Sequence, residues 1–276
     1  ILLLFLPPAI GELLSGSAPP LQFFNPVVLL LLVLLYGCGT LLIREAKVKW
    51  NLQWSVVFLA IAYGIIEEGL MVKSFFNPGW VDMGLMSGYG MYFGVQWAWT
   101  IKLTFYHATL STLIPIVIID LLWPDYRNVP VLKRRGIILA SAGITFVTLL
   151  GMVFFGTWEN NEMVPYYPNP LLLVAGLIVV LLLFRLAYKY RDSRIQNNKV
   201  LLFSPMLFAV SGFMFQVLNL LLPDALAGGE VPAHITLAVQ CLIVALTLLF
   251  AAYQILHVNV TKRHIVSFIS ASLLLF

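Results

Sequence analysis

Apolar residues in this chain come in continuous runs of about twenty, separated by short polar connections. The runs fall at roughly 1–15, 27–45, 54–76, 93–122, 136–157, 169–190, 200–222 and 233–257, and a ninth begins near Ile265. A run of about 20 residues rising 1.5 Å per residue matches a hydrocarbon core of about 30 Å. The pattern therefore predicts an all-α, multi-pass transmembrane helical bundle of about eight spanning helices, one integral membrane domain over 1–276. Strands of a membrane barrel would alternate apolar and polar positions over about ten residues, and these runs do not. Helix punctuation agrees with several boundaries: Asn25-Pro26 sets a cap and then a proline at a start, Pro170 opens the sixth run and Pro223 closes the seventh.

Composition reinforces the pattern. At 61% hydrophobic and 10% charged, the chain has too little polar surface to cover a water-soluble exterior. The net charge of +4 is explained by where the charges lie. Fourteen of the sixteen Lys and Arg residues sit in alternate connections, after runs two, four, six and eight, whereas Asp82, Glu159, Glu162, Asp224 and Glu230 occupy the others. The positive-inside rule makes the basic side cytoplasmic, which places the N-terminus and the region of residue 260 in the cytoplasm, with the plasma membrane of a prokaryote as the expected location. Nucleic acid is not an expected partner, because the basic residues are not interleaved with stacking aromatics. Cys38 and Cys241 lie within apolar runs, so no disulfide framework or thiolate metal site is indicated. Both ends fall inside apolar runs, as expected of a trimmed chain.

The exceptions to the charge map are the informative part. The third run contains AYGIIEEGLMVK, with Glu67 and Glu68 about 12 Å from the expected outer helix end. An ionised residue at the centre of a membrane helix costs about 2.5–3.5 kcal/mol even on the mildest scales. Tyr63, one turn before Glu67, is expected to offer its hydroxyl, and Gly64 and Gly69 let another helix or a substrate approach. The fourth run carries a polar stripe of Gln96, Thr100, Thr104, His107 and Ser111 at spacings of three and four. His107 lies at about the depth of the glutamates. The two Lys residues off the basic side, Lys73 and Lys102, are expected to reach outward or to pair with carboxylates, and Glu12 in the first run is expected to join them. The candidate cluster is Glu12, Glu67, Glu68, Lys73, Lys102 and His107 in the outer half of the bundle, supported by Tyr63, Thr104 and Ser111.

No motif indicates a cofactor. There is no His-Glu-x-x-His, P-loop, dinucleotide fingerprint or nucleophile elbow. No second histidine shares the depth of His107 to complete a haem site, and spacing alone does not indicate a zinc site in the Glu67, Glu68 and His107 set.

A glutamate pair on one membrane helix and a histidine on the next resembles the CAAX-protease and bacteriocin-processing family of intramembrane proteases. Glu67-Glu68 matches that family's pair and His107 its first histidine. The chain departs from the pattern at Val72, where arginine is expected, at Leu103, where phenylalanine is expected, and in having no later His-x-x-x-Asn. The resemblance implies that one glutamate activates water while His107 relays a proton or stabilises the oxyanion.

Three function classes follow. An intramembrane hydrolase acting on a membrane peptide or lipid requires a water-accessible cavity that holds Glu67, Glu68 and His107 within hydrogen-bond reach. A proton- or cation-coupled carrier requires the acids at a midplane site flanked by broken helices. A non-catalytic subunit of a membrane complex requires a dry bundle with partner subunits on its apolar face.

Overall fold

The computed structural model describes residues 1–159, 162–195, 198 and 200–276; Lys199, counted above among the basic residues, lies outside them. Nine principal helices occur among the described residues. They are α1 (Leu2–Leu14), α2 (Pro26–Lys49), α3 (residues 56–71), α4 (Trp97–Leu122), α5 (Arg134–Phe154), α6 (Pro170–Lys189), α7 (Pro205–Gly228), α8 (Ala233–Ile255) and α9 (Lys262–Leu273). Six of them, α2 and α4–α8, are long and apolar enough to cross a membrane. The runs expected at 1–15 and 54–76 give shorter helices than a full crossing needs, so six crossings are supported where about eight are expected. The third run stops early because Lys73 takes a left-handed backbone conformation, φ +66°, which an α-helix cannot continue.

Local chemistry sets the helix starts. Asn25 Oδ1 accepts from the Val27 and Val28 amides ahead of α2, and Asn169 Oδ1 accepts from the Leu171 amide ahead of α6, each before a proline in the first turn. The similar FFNP at 75–78 starts no helix: Asn77 Oδ1 instead accepts from the Gly79 amide and the Thr157 hydroxyl.

The chain divides into two compact units. The first comprises Ile1–Asp82 and Leu103–Ser193, that is α1–α3, most of α4, and α5 and α6. Its apolar core is built from Leu35, Tyr36, Leu59, Tyr63, Ile116 and Val147, among others. The second comprises Met83–Lys102 and Arg194–Phe276 and holds α7–α9 and the glycine-rich segment before α4. That segment folds into a 3-10 turn (Val81–Met86) and a short antiparallel hairpin of β1 (Met91–Tyr92) and β2 (Val95–Gln96). Gly84, Gly88, Gly90 and Gly94 take positive φ there. A second hairpin, β3 (Gly156–Glu159) and β4 (Glu162–Pro165), joins α5 to α6 in the first unit.

The lipid-facing surfaces are explicit in the side chains. Leu139, Phe146 and Leu149 on α5 and Leu171, Val174 and Leu181 on α6 are all exposed. Such faces are stable in hydrocarbon and not in water, and the chain is an integral, helical membrane protein.

Candidate functional site

Four helices of the first unit change their winding at one level. α1 turns π-helical over Ala9–Leu14, α2 over Val33–Gly37, α3 over Ile65–Met71 and α4 over His107–Leu113. Glu12, Tyr36, Glu67 with Glu68, and His107 with Ser111 lie on those four segments. Short π segments recur at functional sites, and the physical effect is legible here. Adjacent side chains on an α-helix diverge by about 100°, whereas the wider π turn brings neighbours closer in direction. On α3 the wide turn is closed by the Val72 amide donating to Glu67 O at 2.8 Å, and both glutamates reach the same histidine.

The His107 ring lies between the two carboxylates. Its Nε2 is 3.1 Å from Glu68 Oε1 in an aligned hydrogen bond. Its Nδ1 is 3.0 Å from Glu67 Oε2, but off the ring N–H direction, and Glu67 Oε2 has no aligned hydrogen bond. All three residues are buried, with Glu67 2% exposed. Ser74 Oγ donates to Glu68 Oε2 and holds that carboxylate from the other side. Ser111 Oγ lies 3.4 Å from His107 Nδ1.

Glu12 accepts from the Tyr36 hydroxyl and is close enough to interact electrostatically with Glu67, Glu68 and His107. The Tyr36 ring centre is 6.0 Å from that of His107. Tyr106 donates its hydroxyl to Gly11 O at 2.5 Å. Two glycines allow the helices to meet. A Cβ on Gly11 would lie 2.8 Å from Ser111 Oγ, and one on Gly64 would lie 3.3 Å from His107 Cβ and 3.4 Å from Thr104 O. Gly69 does not act this way: it packs on Phe75 of its own segment.

The expected supporting residues separate. Tyr63 is buried one turn before Glu67 and its hydroxyl faces that carboxylate as expected, outside ideal hydrogen-bond alignment. Thr104 contributes its backbone against Gly64. Lys73 neither reaches the lipid surface nor pairs with a glutamate. Its side chain is 1% exposed, and Nζ caps the C-terminal end of α5 through Met152 O at 2.6 Å and Phe155 O at 2.7 Å. The unpaired carbonyls and negative dipole end of α5 account for that placement. Lys102 pairs with Asp224 in the second unit, and Gln96 binds the Gly88 amide there. The polar stripe therefore serves two neighbourhoods, with only Thr104, His107 and Ser111 in the first unit.

Sequence reasoning missed Tyr36, Ser74 and Tyr106. Tyr36 and Tyr106 carried a weak signal, as hydroxyl-bearing aromatics deep in apolar runs. Ser74 carried none, because it meets Glu68 from the turn beyond α3. A crevice of about 140 Å³, lined by Leu42, Leu59, Ile66, Ile144 and Phe184 among others, reaches Tyr63. Its walls are almost wholly apolar.

The arrangement can accept a proton at Glu67, pass one across an imidazole and hold a positive ion. Glu12, Glu67 and Glu68 have no Lys or Arg ion-pair partner among the described residues.

Across residues 1–276 the chain matches, and belongs to, a family described as an uncharacterized membrane protein family. No curated protein and no solved structure matches it. The family match does not extend the resemblance to the CAAX proteases beyond the glutamate pair and the histidine.

Proposed function

We propose that this membrane protein is an intramembrane hydrolase in which Glu67, Glu68 and His107 activate water. The observation that supports this best is the buried imidazole held between two carboxylates at 3.0 and 3.1 Å, with one carboxylate oxygen free of an aligned hydrogen bond. That oxygen, Glu67 Oε2, takes a proton from water. The water oxygen adds to an amide or ester carbonyl carbon, and the proton returns to the leaving amine or alkoxide as the bond breaks. His107, fixed by Glu68 and through it by Ser74, keeps the carboxylates apart and offers positive charge to the developing oxyanion. The substrate is a membrane peptide or lipid, whose apolar chain suits the crevice that reaches Tyr63. The basic connections face the cytoplasm in this reading.

The test uses membranes containing the full chain in ¹⁸O-labelled water. Hydrolysis inserts one labelled oxygen into each new carboxyl group, so labelled peptide termini or fatty acids are expected with the wild type and not with Glu67→Gln. Identical product profiles for the two proteins would remove the hydrolase.

One observation favours a second reading. Acids without Lys or Arg partners, flanked by four changes of helix winding, suit a proton- or cation-coupled carrier. Vesicles with a trapped pH dye separate the two: a carrier moves protons down an imposed gradient and a hydrolase does not.

A further inference from the structure

The two carboxylate contacts of the His107 ring are not equivalent, and the difference points to a ligand at Nδ1, where Ser111 Oγ also stands, at 3.4 Å. The Nε2 contact with Glu68 is an aligned hydrogen bond; the Nδ1 contact with Glu67 Oε2 is as short, yet off the N–H direction. Two ligands of one metal ion face each other in this off-axis way. With bonds of about 2.0–2.2 Å, an ion spans the separation of 3.0 Å at roughly a right angle. A histidine bound through one nitrogen commonly donates its other N–H to a carboxylate, which fixes its orientation, and Glu68 already stands at that position.

Two independent observations point the same way. Glu67 Oε2 is buried without an aligned hydrogen bond, an arrangement that proteins rarely leave, and the buried Tyr63 hydroxyl faces the same carboxylate. Charge is also unbalanced, since the nearest cationic candidates from the sequence, Lys73 and Lys102, are committed to the end of α5 and to Asp224. The remaining counter-charge is protons or a bound cation.

We infer that Glu67 Oε2 and His107 Nδ1, in a cluster whose donor atoms lie within 4.8 Å of one another, bind a divalent first-row transition-metal ion such as Zn²⁺, with Glu68 holding the ring through Nε2. An imidazole nitrogen beside a carboxylate suits Zn²⁺ and Mn²⁺ better than Ca²⁺ or Mg²⁺, which favour all-oxygen shells. The inference builds on the hydrolase reading, in which such an ion would lower the proton affinity of the attacking water. With Glu67 Oε2 on the ion, the other oxygen of Glu67 would take the proton and the ion, in place of His107, would face the oxyanion.

The test is metal binding itself. The full chain, purified in detergent, is stripped with chelator, loaded with Zn²⁺ and analysed by elemental mass spectrometry; Co²⁺ is loaded in parallel for its visible absorption. The wild type is expected to retain one equivalent and to melt at a higher temperature when loaded. Loss of a ligand in Glu67→Gln or His107→Ala should weaken binding at least about 100-fold, whereas Lys102→Gln should bind as the wild type does. Wild-type protein that retains no more Zn²⁺ than the Glu67→Gln/His107→Ala double variant overturns the inference, a result that needs no variant to be active. Should ¹⁸O-labelled products still form in that case, the hydrolase stands without the metal. Bound metal without such products keeps the site and removes the hydrolase.

Discussion

The two units bury polar side chains in different chemical forms. In the first, the buried groups at the centre are ionisable: Glu67, Glu68 and His107, with Glu12 beside them. In the second they are mostly amides and hydroxyls, and several of them lean on backbone carbonyls. Gln240 donates to Ala98 O at 3.0 Å, Asn219 to Phe215 O at 2.7 Å and Gln254 to Leu201 O at 3.1 Å, while the Tyr89 hydroxyl meets Thr236 Oγ1 at 2.6 Å. A neutral amide can be satisfied by a carbonyl that a helix supplies anyway. A carboxylate cannot, since it needs a donor or a positive charge brought from another element. The contrast separates polar groups that hold helices together from polar groups whose demand is left open for chemistry.

That contrast can be broken at several points. The largest effect on stability is expected from Lys73→Met, which removes two charged hydrogen bonds to the end of α5. At about 1.5–3 kcal/mol for each, thermal unfolding in detergent should show a loss of about 3 kcal/mol. A change under about 1 kcal/mol would mean that the carbonyls find other partners.

Next come two paired glycines. A Cβ on Gly37 would stand 2.3 Å from Leu4 O in the first unit, and one on Gly212 would stand 2.3 Å from Phe268 O in the second. Both clashes are with backbone, so Gly37→Ala and Gly212→Ala should each cost about 1–3 kcal/mol. Only Gly37→Ala should also reduce ¹⁸O-product formation, because Gly37 follows Tyr36, which holds Glu12. Equal loss of product in Gly212→Ala would erase the functional distinction between the units.

The smallest changes in stability are expected where a polar group is replaced with its shape kept. Gln240→Leu in the second unit should cost about 0.6 kcal/mol, the average for such membrane hydrogen bonds. Glu67→Gln removes a buried charge without a Lys or Arg partner, so the melting temperature should hold or rise while product formation is lost. A drop of about 3 kcal/mol or more in Glu67→Gln would mark the pair as structural.

Much of the architecture was readable from the residues in order. The long apolar runs translate into helices whose bounds differ from the expected ones by a few residues, as with 27–45 against Pro26–Lys49 and 169–190 against Pro170–Lys189. Depth along straight helices was enough to bring Glu67, Glu68 and His107 to one level. The same reasoning failed for Lys73, which serves the end of α5 far along the chain; Lys102 pairs with a carboxylate as expected, but with Asp224 and not with the glutamate cluster. Ser74 was invisible for the same reason, since a turn has no period from which to read a facing direction.

The sequence by itself determined that the chain lives in lipid as helices, because hydrocarbon leaves an isolated segment no other way to satisfy its backbone. It also determined that α3 carries two acids that need an answer. The tertiary structure alone decided the answer. Winding is a cooperative outcome of packing between helices, and no local propensity dictates that α1, α2, α3 and α4 turn π-helical at the same level. That shared change of winding turns Glu67 and Glu68 onto one histidine, and it leaves Glu67 Oε2 without an aligned hydrogen bond.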